Sequence, residues 1–226
     1  MTMTNRLLSI QQQIVQAAQR YGRRADSISL LAVSKTQLAD RIVEAFNAGQ
    51  RDFGESYMQE AIDKIHTLET YPICWHFIGP IQSNKTKWIA ELFQWVHSID
   101  RLKIAERLQA QRSPFLPPLN VCIQVNIDDE ETKSGVSTTG VIPLAQNIVG
   151  MPNLKLRGLM AIPAPKNTFE EQRESFQKVR ALFEQLNCQG FHLDTLSMGM
   201  SDDFEAAIAE GATIIRLGSA IFGKRP

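Results

Sequence analysis

The chain has 226 residues, enough for one large domain or two small ones. Its 24 lysines and arginines balance its 24 aspartates and glutamates, so no net charge attracts nucleic acid or an anionic membrane. The apolar runs are far shorter than the roughly 20 residues that cross a bilayer, and no hydrophobic leader opens the chain, so we expect a cytoplasmic protein. Three cysteines, odd in number and far apart, are atypical of a disulfide framework or a CxxC site, and we expect no bound metal.

The predicted elements begin with an amphipathic helix over 4–21, where apolar residues recur at helical spacing before Gly22. Short β-rich runs then alternate with polar stretches that suit helices. The predicted strands cover 28–34, 52–54, 73–79, 95–99, 119–126, 156–162, 195–200 and 212–222. The predicted helices between them cover 40–48, 55–66, 84–93, 101–111, 139–149, 168–186 and 203–209.

The strands are continuous apolar runs, which is typical of parallel strands that helices cover on both faces. Their number predicts an α/β fold: a single (β/α)8 TIM barrel with an extra N-terminal helix, in one domain over 1–226. An open doubly wound sheet shows the same alternation, but no GxGxxG fingerprint follows the first strand. A long polar loop over 128–140, after the fifth strand, is expected on the catalytic face of the barrel.

Lys35 directly follows the first predicted strand, which places it at the C-terminal mouth of a barrel. Partial burial at that position favours the neutral amine, and the neutral amine is the form that attacks an aldehyde. The alternative interpretation is an ordinary lysine at the end of a strand, reaching up to solvent.

Two Gly/Ser patterns follow the seventh and eighth strands. The segment 197–205 (SMGMSDDFE) places Ser201 where a helix begins, and free backbone N–H groups at such a point bind anions. Gly218 and Ser219 follow the eighth strand, and phosphate sites of barrels often lie after these two strands. The sequence therefore predicts a phosphate site, although a plain helix cap completed by Glu205 is a compatible alternative.

Arg216 lies within the eighth strand and is expected to point into the mouth, toward a phosphate or a ring nitrogen. The alternative is a structural ion pair with Glu55 or Asp52. His76 in the third strand can titrate, although a lone histidine in a strand is more often part of the core. An amine and a phosphate site on one face indicate a phosphorylated aldehyde, either pyridoxal phosphate or the substrate of a Schiff-base aldolase.

Seven motifs run in order along nearly the whole chain: LLAVSKT (30–36), FGESYMQE (53–60), WHFIGPIQSNK (75–85), QVNIDDEETKSG (124–135), GLMAIP (158–163), LSMGMSDDFEAAI (196–208) and TIIRLGSAIFG (213–223). They closely resemble those of the pyridoxal-phosphate homeostasis protein family, the YggS/PROSC group. That family is a single barrel related to the N-terminal domain of alanine racemase.

The resemblance implies a site for pyridoxal 5′-phosphate, with the phosphate near the ends of the last two strands. The cofactor-binding residues that it implies are Lys35 (as the Schiff base), Ser56, His76, Met200, Ser201, Arg216, Gly218 and Ser219. The family usually has asparagine after FGE, where this chain has Ser56; its shorter hydroxyl can still donate toward the cofactor through water, in place of the direct contact that asparagine makes in the family.

The expected function is that of a non-catalytic carrier and regulator of vitamin B6, amino-acid and keto-acid homeostasis. We expect a monomer that makes transient contact with pyridoxal-phosphate-dependent enzymes. The alternative is an amino-acid racemase or decarboxylase that uses the same Schiff base. Racemisation needs acid–base groups on both faces of the substrate. The racemase relatives supply a tyrosine from an extra β-domain, which we do not expect here because the sequence ends soon after the eighth strand.

Overall fold

Eight parallel strands close into a barrel in the computed structural model, which describes residues 2–128 and 134–223. The strands are β1 (Ser29–Val33), β2 (Asp52–Glu55), β3 (Cys74–Phe77), β4 (Trp95–Ile99), β5 (Leu119–Val125), β6 (Leu154–Ala161), β7 (Thr195–Ser197) and β8 (Ile214–Leu217). They pair in chain order, and β8 closes against β1 with Leu217 opposite Ala32. The predicted closed barrel is confirmed.

Helices cover the outside of the barrel. Those among the described residues are α1 (Met3–Arg20), α2 (Ala39–Asn47), α3 (Met58–Thr67), α4 (Thr86–Leu92), α5 (Leu102–Gln111), α6 (Val141–Val149), α7 (Phe169–Cys188), α8 (Phe204–Ala209) and α9 (Ser219–Phe222). Within the described part of the chain, none is long and apolar enough to cross a membrane.

The extra N-terminal helix α1 packs across α2, α8 and α9, where the barrel closes. The Thr2 hydroxyl caps its first turn by accepting a hydrogen bond from the Asn5 N–H. One apolar stripe of the helix is buried, as its helical spacing predicts. At its end, Arg20 and Tyr21 both donate to the Glu205 carboxylate of α8, which ties the first helix to the seventh βα unit.

Five strands (β1, β3, β5, β7 and β8) are shorter than the sequence predicts, and the physical reason is clear for β7 and β8. The strand expected over 195–200 ends at Ser197, because Gly199 turns the chain with φ +94° and packs so closely that a Cβ would lie 2.6 Å from the Ala207 Cβ. The run over 212–222 contains β8 and then the short helix α9, since a brief apolar run does not distinguish strand from helix. Residues 129–133, in the predicted loop over 128–140, lie outside the described residues.

Candidate cofactor site at the barrel mouth

Lys35 lies in the turn after β1, at the C-terminal mouth of the barrel, and is partly buried. The next residue, Thr36, has φ +66°, a left-handed conformation that is rare for a β-branched side chain. Its backbone N–H donates to Glu60 Oε1 at 2.5 Å. The turn that carries Lys35 is therefore held in a strained conformation by a hydrogen bond from α3.

A buried ion pair supports this turn from behind. Lys64 Nζ lies 2.8 Å from Glu55 Oε1 and donates to the Ser34 carbonyl oxygen at 2.7 Å. It also pairs with Glu60, the residue that holds Thr36. The Ser34 hydroxyl donates to the same Glu55 oxygen at 2.6 Å. Burial raises the pKa of Glu55, and the Lys64 charge opposes that rise.

The ends of β7 and β8 meet beside the end of β1. The hydroxyls of Ser201 and Ser219 lie 3.4 Å apart, although the two residues belong to different βα units. Gly218 packs against the end of β1, where a Cβ would lie 3.2 Å from the Val33 carbonyl oxygen. Val33 is two residues before Lys35, so the predicted phosphate residues and the predicted anchor share one mouth.

Asp203, two residues after Ser201, stabilises the turn that precedes α8. Asp203 Oδ1 accepts a hydrogen bond from the Met200 N–H at 2.6 Å, which closes the turn between β7 and α8. Burial raises the pKa of Asp203, and the nearby Arg216 charge opposes that rise only in part. The capping-box alternative is wrong, because Glu205 is bound by α1 and the start of α8 has no side-chain cap.

Arg216 points from β8 into the barrel and is buried. One guanidinium nitrogen donates to Ser197 Oγ at 2.8 Å and another to the Ala161 carbonyl oxygen at 3.0 Å. Burial lowers the pKa of Arg216 to about 10, so the guanidinium is still charged at neutral pH. The predicted alternative is wrong, since neither Glu55 nor Asp52 forms an ion pair with this arginine.

A chain of hydrogen bonds descends from Ser197 through the barrel interior. Ser197 Oγ lies 2.7 Å from His97 Nδ1, His97 Nε2 lies 2.9 Å from His76 Nδ1, and His76 Nε2 lies 3.1 Å from Asp52 Oδ1. Burial lowers the pKa of both histidines, which keeps the rings neutral. Arg216 only donates and the Asp52 carboxylate only accepts, and this fixes the donor in each bond. Ser197 donates to His97, His97 donates to His76, and His76 donates to Asp52.

The structure separates His76 from the other predicted cofactor residues. Its ring reaches toward the N-terminal end of the barrel, where it stacks on Trp95 and lies 3.4 Å from Cys74 Sγ. It is connected to Arg216 through His97 and Ser197. The predicted residues that lie at the mouth are Lys35, Ser56, Met200, Ser201, Gly218 and Ser219, with Arg216 beneath them.

Sequence reasoning did not find Lys64, His97 or Ser197 as parts of this arrangement. A signal existed for Lys64, because Glu60 and Lys64 stand four residues apart on a predicted helix. No comparable signal existed for His97 and Ser197, which are 100 residues apart and meet only when the barrel closes.

The closed barrel belongs to the class of alanine racemase-like barrels. The family described as "Alanine racemase, N-terminal domain" matches residues 7–226. Over 224 residues the chain is 54% identical to the pyridoxal phosphate homeostasis protein of Pseudomonas aeruginosa, with 99% of this chain and 96% of that protein covered. For its Escherichia coli counterpart the identity is 51% over 222 residues, with 97% and 95% covered. The chain belongs to the pyridoxal phosphate homeostasis protein family.

Solved structures agree with this assignment. PipY of Synechococcus elongatus without PLP superposes with a TM-score of 0.87 at 36% identity, covering 98% of this chain and 100% of PipY. PipY with PLP bound gives a TM-score of 0.85 at 35% identity with the same coverage. Alanine racemase of Corynebacterium glutamicum shares the fold, with a TM-score of 0.70 at 16% identity over 96% of this chain and 61% of the racemase.

Proposed function

We propose that this protein binds pyridoxal 5′-phosphate covalently through Lys35 and acts as a non-catalytic carrier and regulator of vitamin B6, amino-acid and keto-acid homeostasis. The observation that carries the proposal is the meeting of the β1, β7 and β8 ends, which brings the turn of Lys35 beside the Ser201 and Ser219 hydroxyls. The names of the curated relatives and the structure of PipY with PLP bound support it.

The residues at the mouth fit this cofactor. Lys35 provides the amine that holds the aldehyde, and two hydroxyls with the backbone N–H groups of 218–219 provide donors for a phosphate. The bound cofactor supplies an electron-withdrawing ring next to the carbon that carries an amino group. Arg216 would lie on the ring side of the cofactor and would favour an unprotonated ring nitrogen there, because a guanidinium only donates hydrogen bonds.

The positions of the tyrosines support the non-catalytic part of the proposal. Tyr21 donates to Glu205 on the outside of the barrel, and Tyr71 packs edge-on against Phe46. Tyr57 is 54% exposed at the start of α3. The engagement of Tyr21 and Tyr71 elsewhere supports the view that neither serves as a second acid–base group facing Lys35. We further propose a single barrel domain that is cytoplasmic and monomeric and contacts pyridoxal-phosphate-dependent enzymes transiently.

The test is borohydride reduction of the purified protein followed by peptide mass spectrometry. We expect one phosphopyridoxyl adduct, on Lys35, and its loss together with the yellow absorption in Lys35→Ala. Lys103→Ala, which removes an exposed lysine of α5, is the matched control and retains the adduct. An adduct on another lysine, or a yellow Lys35→Ala protein after dialysis, overturns the assignment of the anchor. Accumulation of a D-amino acid from an L-amino acid overturns the non-catalytic part.

A further inference from the structure

The N-terminal end of the barrel, opposite the mouth, holds a second cluster of chemically reactive side chains. Asp52 opens β2 and Cys74 opens β3, and the two are paired in register across the sheet. His76 is two residues further along β3 and therefore points to the same face as Cys74. One ligand atom from each of the three residues lies within 4.8 Å of the others.

From this geometry we propose that Asp52, Cys74 and His76 form a binding site for a thiophilic divalent cation of the zinc class. Carboxylate oxygen, thiolate sulfur and imidazole nitrogen are the ligands that Zn²⁺ takes in proteins, and three protein ligands plus water make an open tetrahedral site. The proposal is independent of the cofactor at the mouth, because it uses none of the mouth residues.

The distances match such a site closely. With usual zinc–ligand bond lengths, tetrahedral coordination separates nitrogen from oxygen by about 3.3 Å and nitrogen from sulfur by about 3.5 Å. The corresponding distances are 3.1 Å from His76 Nε2 to Asp52 Oδ1 and 3.4 Å from His76 Nε2 to Cys74 Sγ. Two of the three ligand-to-ligand distances therefore match tetrahedral coordination, and the third, between the Asp52 and Cys74 ligand atoms, is at most 4.8 Å.

The hydrogen-bond partner behind His76 suits coordination. A ligating histidine carries its proton on the ring nitrogen that faces away from the metal and donates it to a fixed acceptor. His97 Nε2 lies 2.9 Å from His76 Nδ1 and takes this role when its own proton moves to Nδ1. His97 Nδ1 then donates to Ser197 Oγ at 2.7 Å, so both rings remain neutral and hydrogen-bonded.

The local charges also favour a cation. Within the described part of the chain, Asp52 has no ion pair with a lysine or arginine, and the neighbouring Arg51 donates instead to the carbonyl oxygens of Phe46 and Gln50. A divalent cation replaces the Cys74 thiol proton, which leaves to solvent, and its two positive charges balance one carboxylate and one thiolate.

A route to the site exists from solvent. Asp52 is partly exposed and borders an open cavity of about 310 Å³ between α1 and the starts of β1 and β2. Solvent, and with it a hydrated cation, can therefore reach the Asp52 end of the proposed site through this cavity.

The test is metal titration of the purified full chain in chelator-treated buffer, first with Zn²⁺ and then with Co²⁺. We expect one tightly held Zn²⁺ per chain after dialysis, and a thiolate-to-cobalt charge-transfer band with Co²⁺. Cys74→Ser and Asp52→Asn are expected to lose the band and to weaken Zn²⁺ binding about tenfold or more. Cys188→Ser removes an exposed cysteine and serves as the control that keeps both.

Circular dichroism establishes that each variant is folded. Asp52→Asn changes a partly exposed residue conservatively, so it keeps the test valid if Cys74→Ser misfolds. Zn²⁺ held equally by wild type and Asp52→Asn, or no Zn²⁺ retained by wild type, overturns the proposal. Neither result affects the assignment of Lys35, which the borohydride experiment tests separately.

Discussion

Ser201 and Ser219 follow different strands, yet their hydroxyl oxygens lie 3.4 Å apart. Ser219 is exposed and Ser201 is partly buried, and two hydroxyl donors that converge at one point suit an oxyanion. The end of β7 at Ser197 pairs with the start of β8 at Ile214, so the turn through Gly199 carries the chain up to Ser201 beside Ser219.

Removal of one of these hydroxyls is expected to weaken cofactor retention. Ser201→Ala should raise the dissociation constant for pyridoxal phosphate about two- to tenfold, which corresponds to about 0.5–1.5 kcal/mol for one hydrogen bond. Fluorescence titration of the cofactor-free protein measures the change. Ser29→Ala, at the opposite end of β1, should leave the constant unaltered. Equal constants for both variants would remove Ser201 from the phosphate site.

Loss of Lys64 should destabilise the fold and the turn that carries Lys35. Lys64→Met leaves the Glu55 carboxylate buried beside an apolar side chain, which costs about 3–5 kcal/mol. Urea denaturation measures the free energy of unfolding, and adding Glu55→Gln should recover part of the loss. Lys103→Met, on an exposed face, should change it by less than about 0.5 kcal/mol. If the two lysine variants are equally stable, the buried pair has no supporting role.

A side chain at Gly79 should push β2 and β3 apart at the mouth. A Cβ there would lie 2.2 Å from the Ser56 carbonyl oxygen, so Gly79→Ala is expected to cost about 1–3 kcal/mol and to reduce cofactor affinity. Thermal denaturation and cofactor titration measure the two effects. Gly150→Ala is the control, since its Cβ would meet nothing closer than 3.8 Å and its φ is −77°. A tolerated Gly79→Ala would show that the strands can separate without consequence.

The buried histidines predict a loss of stability in mild acid. The pKa of His97 is well below its ordinary value of about 6.5 because the ring is desolvated. Below about pH 6.5 the unfolded chain therefore binds a proton that the folded protein does not. The free energy of unfolding then falls by up to about 1.4 kcal/mol per pH unit for each such histidine.

Denaturation between pH 7 and pH 5, in the presence of a chelator, measures this dependence. His97→Gln should flatten it, because one buried group that must remain neutral is removed. His66→Gln changes an exposed histidine and should leave the slope as it is in the wild type. A slope that His97→Gln does not alter would place the proton uptake elsewhere.

The mouth could be predicted from the sequence because a parallel barrel brings all strand ends to one face. Lys35, Ser201 and Ser219 each follow a recognisable apolar run, and knowing the architecture is enough to assign them to the same side. The end of β8 was less predictable, because the apolar residues after Gly218 fit a strand and a short helix equally well.

The polar interior could not be predicted in the same way. His76 and His97 meet because β3 and β4 are adjacent and their residues alternate between the barrel interior and the helices. That meeting depends on register, which local patterns do not encode. Arg216 was correctly expected to point inward, but its partners Ser197 and Ala161 come from strands whose alignment only the closed barrel fixes.

The line of hydrogen bonds from Arg216 to Asp52 makes the two ends of the barrel interdependent. Asp52 is the last acceptor of this line, and its carboxylate fixes which atom donates in each of the hydrogen bonds. The Asp52 side chain is also partly exposed to solvent. Neutralising or occupying that carboxylate removes the reason for His76 and His97 to keep their present tautomers. A change of charge at Asp52 is therefore expected to reverse the donor and acceptor roles along the line as far as Ser197, the residue that accepts a hydrogen bond from Arg216.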